Sequence, residues 1–228
     1  MSERREADPR MDAPAFHRNV EPLTEALRAR LAGRSGDVLE IGAGTGQHAV
    51  AFARVFPEVV WWPTDPAPRR RVSVDAWARE AGLANLRPAR SLDAAASDWR
   101  LGGADAPPAS GLLLVLAVNV VHIAPWSVTE GLLAGAARHL APDGALALYG
   151  PFARGGRHTA PSNAAFDASL RAQDPEWGVR DLDEVAVAAE ARGLQLDAVV
   201  EMPANNLVVW FVPRLRNGGG GEDRRRSR

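Results

Sequence analysis

The chain has 228 residues, 46% of them hydrophobic, and its formal net charge of −1 leaves no domain-wide positive field to bind nucleic acid. Cysteine and lysine are absent, which excludes disulfides, thiolate nucleophiles, cysteine zinc sites and Schiff-base chemistry on a lysine. The five histidines show no spacing typical of a metal site, so we expect one α/β domain without a metal.

The two ends of the chain differ in composition from its centre. Residues 1–12 are rich in charge and predict a disordered N-terminal tail, and residues 215–228, with four glycines before mixed charges, predict a disordered Gly/Arg tail. Residues 13–214 would then form a single domain. Since neither a run of about eighteen apolar residues nor a signal-peptide core occurs, we expect a cytoplasmic protein that binds no membrane.

A polar segment, residues 14–22, precedes a predicted helix with leucines at helical spacing from Leu23 to Leu31. A glycine-rich turn follows the first predicted strand of this chain, and in folds with such a turn the segment before that strand often lies over the bound ligand. Arg18 and Asn19 are therefore candidate cofactor or substrate contacts. The alternative is that the segment is a surface cap on the first helix.

Residues 37–48 join an apolar strand to three glycines, just before a predicted helix over residues 49–56. Because glycine accepts positive φ and has no Cβ, a ligand can press against the backbone N–H groups of such a turn. The spacing is G-x-G-x-G rather than the dinucleotide G-x-G-x-x-G, and an acid precedes the first glycine, where it would repel a pyrophosphate but pair with an ammonium or sulfonium cation. Strand, acid, turn and helix resemble motif I of the class I S-adenosylmethionine (SAM) methyltransferases. A helix-capping turn without a ligand is the alternative. The candidate cofactor residues of this stretch are Glu40, Gly42, Ala43, Gly44, Thr45, Gly46 and Gln47.

Two further acids follow the next predicted strands. Asp65, after the strand at residues 59–63, lies about twenty residues past the glycines, where such folds place the carboxylate that binds the ribose. Capping of the predicted helix over residues 69–81 is its alternative role. Asp93, after a predicted third strand at residues 86–89, lies where methyltransferases commonly contact the adenine amino group, with Asp98 or a helix cap as alternatives.

A fourth apolar strand, residues 111–118, leads into Asn119 and His122. Ligands of open parallel sheets bind outside the carboxyl ends of the strands, so both side chains should face the transferred methyl group and its acceptor, and Asn119 should also contact the cofactor. Amino-group methyltransferases carry Asp/Asn-Pro-Pro-aromatic at a similar position. Here the prolines are missing and histidine replaces the aromatic residue, so the attacking atom is left open. The ordinary pKa of histidine would suit His122 as a general base, and a structural role is the alternative.

The last third of the chain predicts a helix over residues 128–140, a strand over 145–149, an insertion over 150–180, a helix over 182–192 and strands over 194–202 and 207–212. An insertion of this length is typical of a functional loop, and we interpret it as a lid over the acceptor; a surface helical hairpin is the alternative. The candidate acceptor contacts are Arg18, Asn19, Trp126, Tyr149, Phe152, Asn163, Arg180 and Asn205. Asn205 lies in the turn between the last two strands, where asparagines are also common for local reasons.

Several of these stretches together resemble one known family, the uncharacterised methyltransferases that include eukaryotic methyltransferase-like protein 26, also called domain of unknown function 938. The resemblance spans roughly residues 14–212. It implies SAM binding and the class I (Rossmann-like) fold, with a seven-stranded, mostly parallel sheet, helices on both faces and a lid insertion after strand 5. It implies no substrate. The stretches that carry it are Arg18-Asn19, residues 39–48, 62–65, 119–126 and 149–152, Ser162-Asn163, Phe166-Asp167, and residues 174–181 and 202–206.

These observations predict a SAM-dependent methyltransferase that transfers a methyl group to an O, N or S atom of a small polar acceptor by in-line attack. Arginines together with asparagines favour a carboxylate- or amide-bearing acceptor, with Arg180 as the residue to test. One alternative is an NAD(P)-dependent oxidoreductase, which Glu40, the glycine spacing and the absence of lysine disfavour. Another is a non-catalytic module that binds SAM or a partner protein. We expect no nucleic-acid, membrane or metal ligand, and a monomer or homodimer.

Overall fold

The computed structural model describes residues 8–214. The predicted C-terminal tail and the first seven residues of the predicted N-terminal tail lie outside these described residues. The elements follow in the order α1 (Pro14–Leu31), β1 (Gly36–Ile41), α2 (Gln47–Val55), β2 (Val59–Thr64), α3 (Pro68–Ala81), β3 (Leu112–Val118), α4 (Trp126–His139), β4 (Leu140–Gly150), β5 (Phe152–Arg154), β6 (Arg157–His158), α5 (Pro161–Gln173), β7 (Arg180–Asp181), α6 (Leu182–Glu190), β8 (Leu194–Met202) and β9 (Asn206–Pro213). Short 3-10 helices follow β3 (Val121–Ile123) and β8 (Pro203–Asn205).

The main sheet has the strand order β2-β1-β3-β4-β9-β8. Strands β2, β1, β3 and β4 are parallel to one another, and β9 runs antiparallel to both of its neighbours. The parallel strands are buried along most of their length, as expected for strands covered on both faces. Since their carboxyl ends meet at one edge, the loops that follow β1, β2, β3 and β4 come together there.

Helices cover both faces of the main sheet, as predicted. Helices α1 and α2 pack on one face together with Val38 and Trp61, whereas α4 and α6 pack on the other face together with Leu39. Successive side chains of a strand point to opposite faces. The side chain of Glu40 therefore points to the same face as Val38, towards Trp61.

The prediction of a seven-stranded sheet is wrong for the described residues, because the expected third strand at residues 86–89 does not form. Two isolated parallel bridges form instead, between Trp61 and Leu86 within the stretch and between Thr64 and Arg90 just after it. Pro88 lies between them and has no N–H to donate, so continuous pairing is interrupted. The main sheet therefore has six strands.

Helix α1 begins at Pro14, nine residues before Leu23, where the predicted leucine pattern starts. Proline suits the first turn of a helix, where its missing N–H is not needed. The residues just before it are held in place as well. The backbone N–H of Met11 donates to Ser73 Oγ (2.8 Å), and that of Ala13 donates to Gln47 Oε1 (2.8 Å). Residues 10–12, which the sequence placed in the tail, therefore pack against the domain.

The insertion between β4 and α6 holds one helix, α5, and a small sheet of order β6-β5-β7, which is neither an irregular loop nor a helical hairpin. Asp167 of α5 organises it. One carboxylate oxygen accepts from the Val179 N–H (2.7 Å) and the other from Arg171 Nε (2.9 Å). The Gly178 N–H donates to the carbonyl of His122 (3.0 Å), which ties the insertion to the loop after β3.

No helix within residues 8–214 combines the length and apolar character needed to cross a membrane.

Candidate functional site

Two cavities adjoin at the carboxyl ends of the parallel strands. The first, of about 380 Å³, lies over the glycine turn and is called the cofactor cavity below; the second, of about 620 Å³, lies between α1, β4, the insertion and the β8–β9 turn and is called the acceptor cavity. Ala15, Asn119 and Ile123 line both. Groups bound in the two cavities can therefore meet beside Asn119.

Most of the predicted cofactor residues line the cofactor cavity. They are Glu40, Gly42, Ala43, Gly44, Thr45, Asp65, Asp93 and Asn119. Gly46 and Gln47 do not. A Cβ on Gly46 would lie 2.6 Å from Val74 Cα, so this glycine, with φ of +90°, lets the start of α2 pack on α3. Sequence reasoning assigned all three glycines to the ligand, whereas the structure gives the third one to helix packing.

Gln47 fastens the N-terminal segment to the turn. Its Oε1 accepts from the Ala13 N–H (2.8 Å) and from Thr45 Oγ1 (3.0 Å), and its Nε2 donates to Asp12 Oδ1 (2.8 Å). With both ends of its amide occupied, the side chain holds residues 12 and 13 against the glycine turn. Met11 and Ala13 consequently form part of the wall of the cofactor cavity.

Asp65, at the end of β2, is fully buried from solvent and supports the glycine turn. One carboxylate oxygen accepts from the Gly44 N–H (3.0 Å) and the other from the Ala67 N–H (2.9 Å). The N-cap position of α3 is Ala67, so Asp65 does not cap that helix. Each carboxylate oxygen keeps acceptor capacity, and the group lines the cofactor cavity, which fits a ligand with hydroxyl donors.

Glu40 is buried beneath the cavity, and its Oε2 accepts a hydrogen bond from the Trp61 indole nitrogen (2.6 Å). The pKa of Glu40 is raised to about 7, because burial and the nearby charge of Asp65 raise it by more than the hydrogen bond from Trp61 lowers it. A carboxyl with this pKa holds its negative charge weakly near neutral pH. A cation bound in the cofactor cavity would stabilise the ionised form.

Asp93 is exposed and lines the cofactor cavity, and its Oδ1 accepts from the Ala95 N–H (2.9 Å). Asp98, its alternative, lines only a neighbouring depression and caps a local turn through the Arg100 N–H (2.8 Å). Of the two acids, the geometry favours Asp93 as a cofactor contact.

His48, one residue into α2, lines the cofactor cavity and was missed by sequence reasoning. Its Nε2 donates to Oδ1 of Asn19 (2.8 Å), and its ring stacks on Phe52 at 5.4 Å between ring centroids. Burial lowers the pKa of His48 to about 4, so the ring is neutral near pH 7. The position of His48 in the sequence, just after the glycine turn, could have indicated that it lines the cavity.

The acceptor cavity has a wall rich in amides, and five of the eight predicted acceptor contacts line it. These are Arg18, Asn19, Tyr149, Asn163 and Asn205. Asn119 and His122, which we expected to face the methyl group and its acceptor, line it too. Ser162, Phe166 and Asn206 are additional lining residues, and among them Asn206 could have been inferred from the paired asparagines of the β8–β9 turn.

Asn119 adopts a left-handed backbone conformation with φ of +57°. Its N–H donates to the carbonyl of Tyr149 (2.8 Å), which fixes the end of β3 against β4. Residues other than glycine rarely adopt this backbone conformation, although asparagine does so more often than most, and those that do often lie at functional sites. The turn places Asn119 at the junction of the two cavities.

His122 is buried, and its Nδ1 has no hydrogen-bond partner in residues 8–214. Burial, and to a smaller extent the charge of Arg180, lowers the pKa of His122 to about 4. This contradicts the expectation that its pKa suits proton removal near neutrality. At pH 7 the ring is neutral and a weak base.

Arg180, Trp126 and Phe152, predicted as acceptor contacts, line neither cavity. The Arg180 guanidinium donates to the backbone carbonyls of Val121 (3.0 Å), Ala124 and Glu176 (2.8 Å). It also lies over the Trp126 ring, 5.8 Å from the centroid. Arg180 therefore holds the loop after β3, and Phe152 is buried in the core.

The β8–β9 turn and helix α5 close the far side of the acceptor cavity against each other. Nδ2 of Asn163 donates to the carbonyl of Asn205 (3.0 Å), and Nδ2 of Asn205 donates to Ser162 Oγ (3.2 Å). Asn205 has φ of +58°. Its predicted role as an ordinary turn residue and its position in the cavity wall are thus compatible. Within the described residues, no cluster of three or more His, Asp or Glu side chains could hold a metal ion.

The fold is that of the class I SAM-dependent methyltransferases. The SAM-dependent methyltransferase SibL is similar over 84% of this chain and 56% of its own (22% identity, TM-score 0.63), and YcgJ of Bacillus subtilis over 86% and 97% (17% identity, TM-score 0.64). An O-methyltransferase family protein from Burkholderia thailandensis is similar over 85% and 56% (15% identity, TM-score 0.67). This chain spans little more than half the length of SibL and of the Burkholderia protein. Likeness at these identities establishes the fold.

Residues 10–213 match the model of the family described as "Protein of unknown function (DUF938)", and the chain belongs to that family. The predicted family is confirmed to this extent. Its relation to methyltransferase-like protein 26 stays a prediction.

Proposed function

We propose that the protein is a SAM-dependent methyltransferase that acts on a small polar acceptor by in-line attack. The observation that carries the proposal is the meeting of the two cavities at Asn119: one lies over a glycine turn with buried carboxylates beside it, and the other is lined by amides. A cofactor bound in the first cavity would present its reactive group to a molecule bound in the second. The insertion supplies part of the second wall through Pro151, Ser162, Asn163 and Phe166, which supports its role as an acceptor lid.

The glycine turn and the carboxylates beside it support SAM as the ligand of the cofactor cavity. A Cβ on Gly42 would lie 2.8 Å from Val120 Cγ2, so only glycine at this position lets the turn pack this closely against Val120. In the proposed assignment Asp65 binds the ribose hydroxyls, Asp93 the adenine amino group and Glu40 the cationic part of the cofactor. When bound, SAM supplies a methyl group on a sulfonium sulfur, whose carbon–sulfur bond breaks as an acceptor lone pair forms the new bond.

The chain's own contribution would be alignment and exclusion of water. Holding two reactants in line can supply roughly 7–11 kcal/mol of a barrier. Asn119 orients the acceptor at the junction, and the neutral ring of His122 offers a hydrogen bond rather than a strong base. His122 and Asn119 thus remain the proposed catalytic residues, with His122 as a positioning group.

Calorimetric titration of the full chain with SAM, S-adenosylhomocysteine and NADH tests the cofactor. We expect both adenosyl ligands to bind and NADH not to bind. Asp65→Ala should weaken their binding at least tenfold, because it removes a buried hydrogen-bonding carboxylate. Asp98→Ala, outside the cavity, is the control and should bind normally. Binding of NADH alone would instead support the oxidoreductase.

Transfer of labelled methyl from SAM to small molecules of a cell extract tests catalysis. Labelled product above the no-enzyme background is expected. SAM binding without any labelling would show a non-catalytic SAM-binding module.

A further inference from the structure

The acceptor cavity carries one formal charge at neutral pH, and it is positive. Arg18 lines the cavity together with neutral amides, a hydroxyl and apolar groups, and no Asp or Glu is among the lining residues. An anionic ligand would therefore be attracted to this cavity and an amine would be repelled, since no carboxylate of the lining offsets the charge of Arg18.

Arg18 is also free to bind a ligand. Its side chain makes no ion pair and no hydrogen bond within residues 8–214. By contrast, Arg171 donates a hydrogen bond to Asp167, and Arg180 donates hydrogen bonds to backbone carbonyls. Within the acceptor cavity the guanidinium of Arg18 is thus the cation with open donor positions.

Tyr149 lines the same cavity and offers a second donor. The Tyr149 side chain is buried, its hydroxyl lies next to Asn19 and Asn206, and the charge of Arg18 acts on it. Burial raises the pKa of Tyr149, so the phenol stays protonated at neutral pH and can donate a hydrogen bond. A guanidinium and a phenol together present N–H and O–H donors to one acceptor group.

We propose that the methyl acceptor is an organic carboxylate whose carboxylate group is held by Arg18 and Tyr149. The inference rests on the proposed methyltransferase function and names the substrate class of the same site. A guanidinium fork matches the planar carboxylate, and a single cation balances a single negative charge. A phosphate, which carries up to two charges near neutrality, would find only this one cation.

The rest of the cavity fits the body of such a molecule. Ile123, Pro151 and Phe166 give it an apolar side, while Asn119 and Asn163 face it with amides. Its volume of about 620 Å³ lies in the range of small-molecule sites. The carboxylate would be held beside Arg18, and the methyl would be accepted at the end near Asn119.

The test fractionates a cell extract at neutral pH into anionic, neutral and cationic pools and supplies each with the full-length protein and methyl-labelled SAM. We expect label in products of the anionic pool, unchanged after that pool is treated with phosphatase. Arg18→Gln should lower this labelling about tenfold or more while SAM binding by calorimetry stays unchanged, since the lost contact is a charge-assisted hydrogen bond. Arg157→Gln, an exposed arginine outside the cavity, is the matched control and should label normally.

The outcomes separate the two proposals. Label from the neutral or cationic pool, label lost after phosphatase, or full activity of Arg18→Gln would overturn the carboxylate assignment and leave the methyltransferase intact. Failure to bind SAM, or SAM binding with no pool labelled, would overturn the methyltransferase and the carboxylate assignment with it.

Discussion

The indole nitrogen of Trp61 donates a 2.6 Å hydrogen bond to Oε2 of Glu40, and both side chains are buried beneath the glycine turn. Strands β1 and β2 bring them together, since Val38 and Trp61 are register partners and Glu40 follows Val38 on the same face. The bond orients the carboxyl at the floor of the cofactor cavity. Burial nevertheless keeps the pKa of Glu40 at about 7, so the charge of this carboxyl changes near neutral pH and its effects can be measured.

SAM affinity should rise with pH up to about pH 7. A cation binds the ionised carboxylate, and below its pKa of about 7 Glu40 must first lose a proton. The apparent Kd should therefore fall by up to about tenfold for each pH unit between pH 5.5 and 7 and level off above pH 8. His48 and His122, with pKa values near 4, do not titrate in this window. Calorimetry in buffers of different ionisation enthalpy would count the released proton, and an equal slope in Glu40→Gln would contradict the assignment.

Glu40→Gln should stabilise the ligand-free protein at high pH. A carboxyl with a raised folded pKa is penalised when ionised: the penalty is absent below the ordinary pKa of 4.5 and complete above about pH 7. Glutamine avoids the charge and can still accept from Trp61. Urea unfolding should show a gain of about 2–3 kcal/mol at pH 8 that disappears near pH 4.5. Glu190→Gln, on the exposed end of α6, is the control and should change stability by less than about 0.5 kcal/mol.

Gly46→Ala should destabilise the fold far more than Gly82→Ala. Both glycines have positive φ, but a Cβ at Gly46 would lie 2.6 Å from the backbone Cα of Val74, whereas nothing lies within 4 Å of one at Gly82. The conformational cost alone is about 1–2 kcal/mol, which Gly82→Ala should show. Gly46→Ala must also move α2 away from α3 and should exceed about 3 kcal/mol in urea unfolding. Equal losses in the two variants would show that the helices adjust without strain.

Local patterns along the chain were enough to predict the order of most helices and strands. The glycine turn, Asp65 and the apolar runs of β1 and β3 can be recognised in the sequence, because hydrophobic periodicity and residue composition are properties of a few consecutive residues. The prediction of seven strands was wrong because the composition of residues 86–89 was taken to indicate a strand. Pro88 lacks the N–H needed for continuous pairing with β2, so only isolated bridges form.

Roles set by distant partners were out of reach of the sequence. Arg180 reaches carbonyls 56 and 59 residues away, and Gln47 meets Ala13, which is 34 residues earlier. The small sheet of the insertion depends in the same way on pairing of β5 with β7. The spacing of residue types does not indicate such contacts. An arginine that is available to bind a ligand therefore cannot be distinguished in the sequence from one that is hydrogen-bonded within the fold.

Under saturating SAM, kcat should show no histidine ionisation between pH 6 and 8. The pKa of His122 is about 4 because its ring is buried, so the ring stays neutral throughout this range. Glu40 would be held ionised by the bound cofactor, which removes the other inflection expected there. His122→Asn should lower kcat less than the roughly hundredfold typical of losing a general base. A kcat inflection near pH 6.5 that vanishes in His122→Asn would instead identify His122 as a base.

Arg180→Ala should weaken both ligands together rather than the acceptor alone. Its guanidinium holds the carbonyls of Val121 and Ala124, and Ile123 between them lines both cavities. Two partly buried carbonyls would lose charge-assisted hydrogen bonds, so urea unfolding should show a loss of about 1–3 kcal/mol. We expect a higher Kd for SAM and a higher acceptor KM, whereas Arg18→Gln should raise the acceptor KM only. Arg157→Ala is the control for removing an arginine from the insertion. An acceptor KM that rises in Arg180→Ala with stability and SAM affinity unchanged would return Arg180 to the role of a direct acceptor contact.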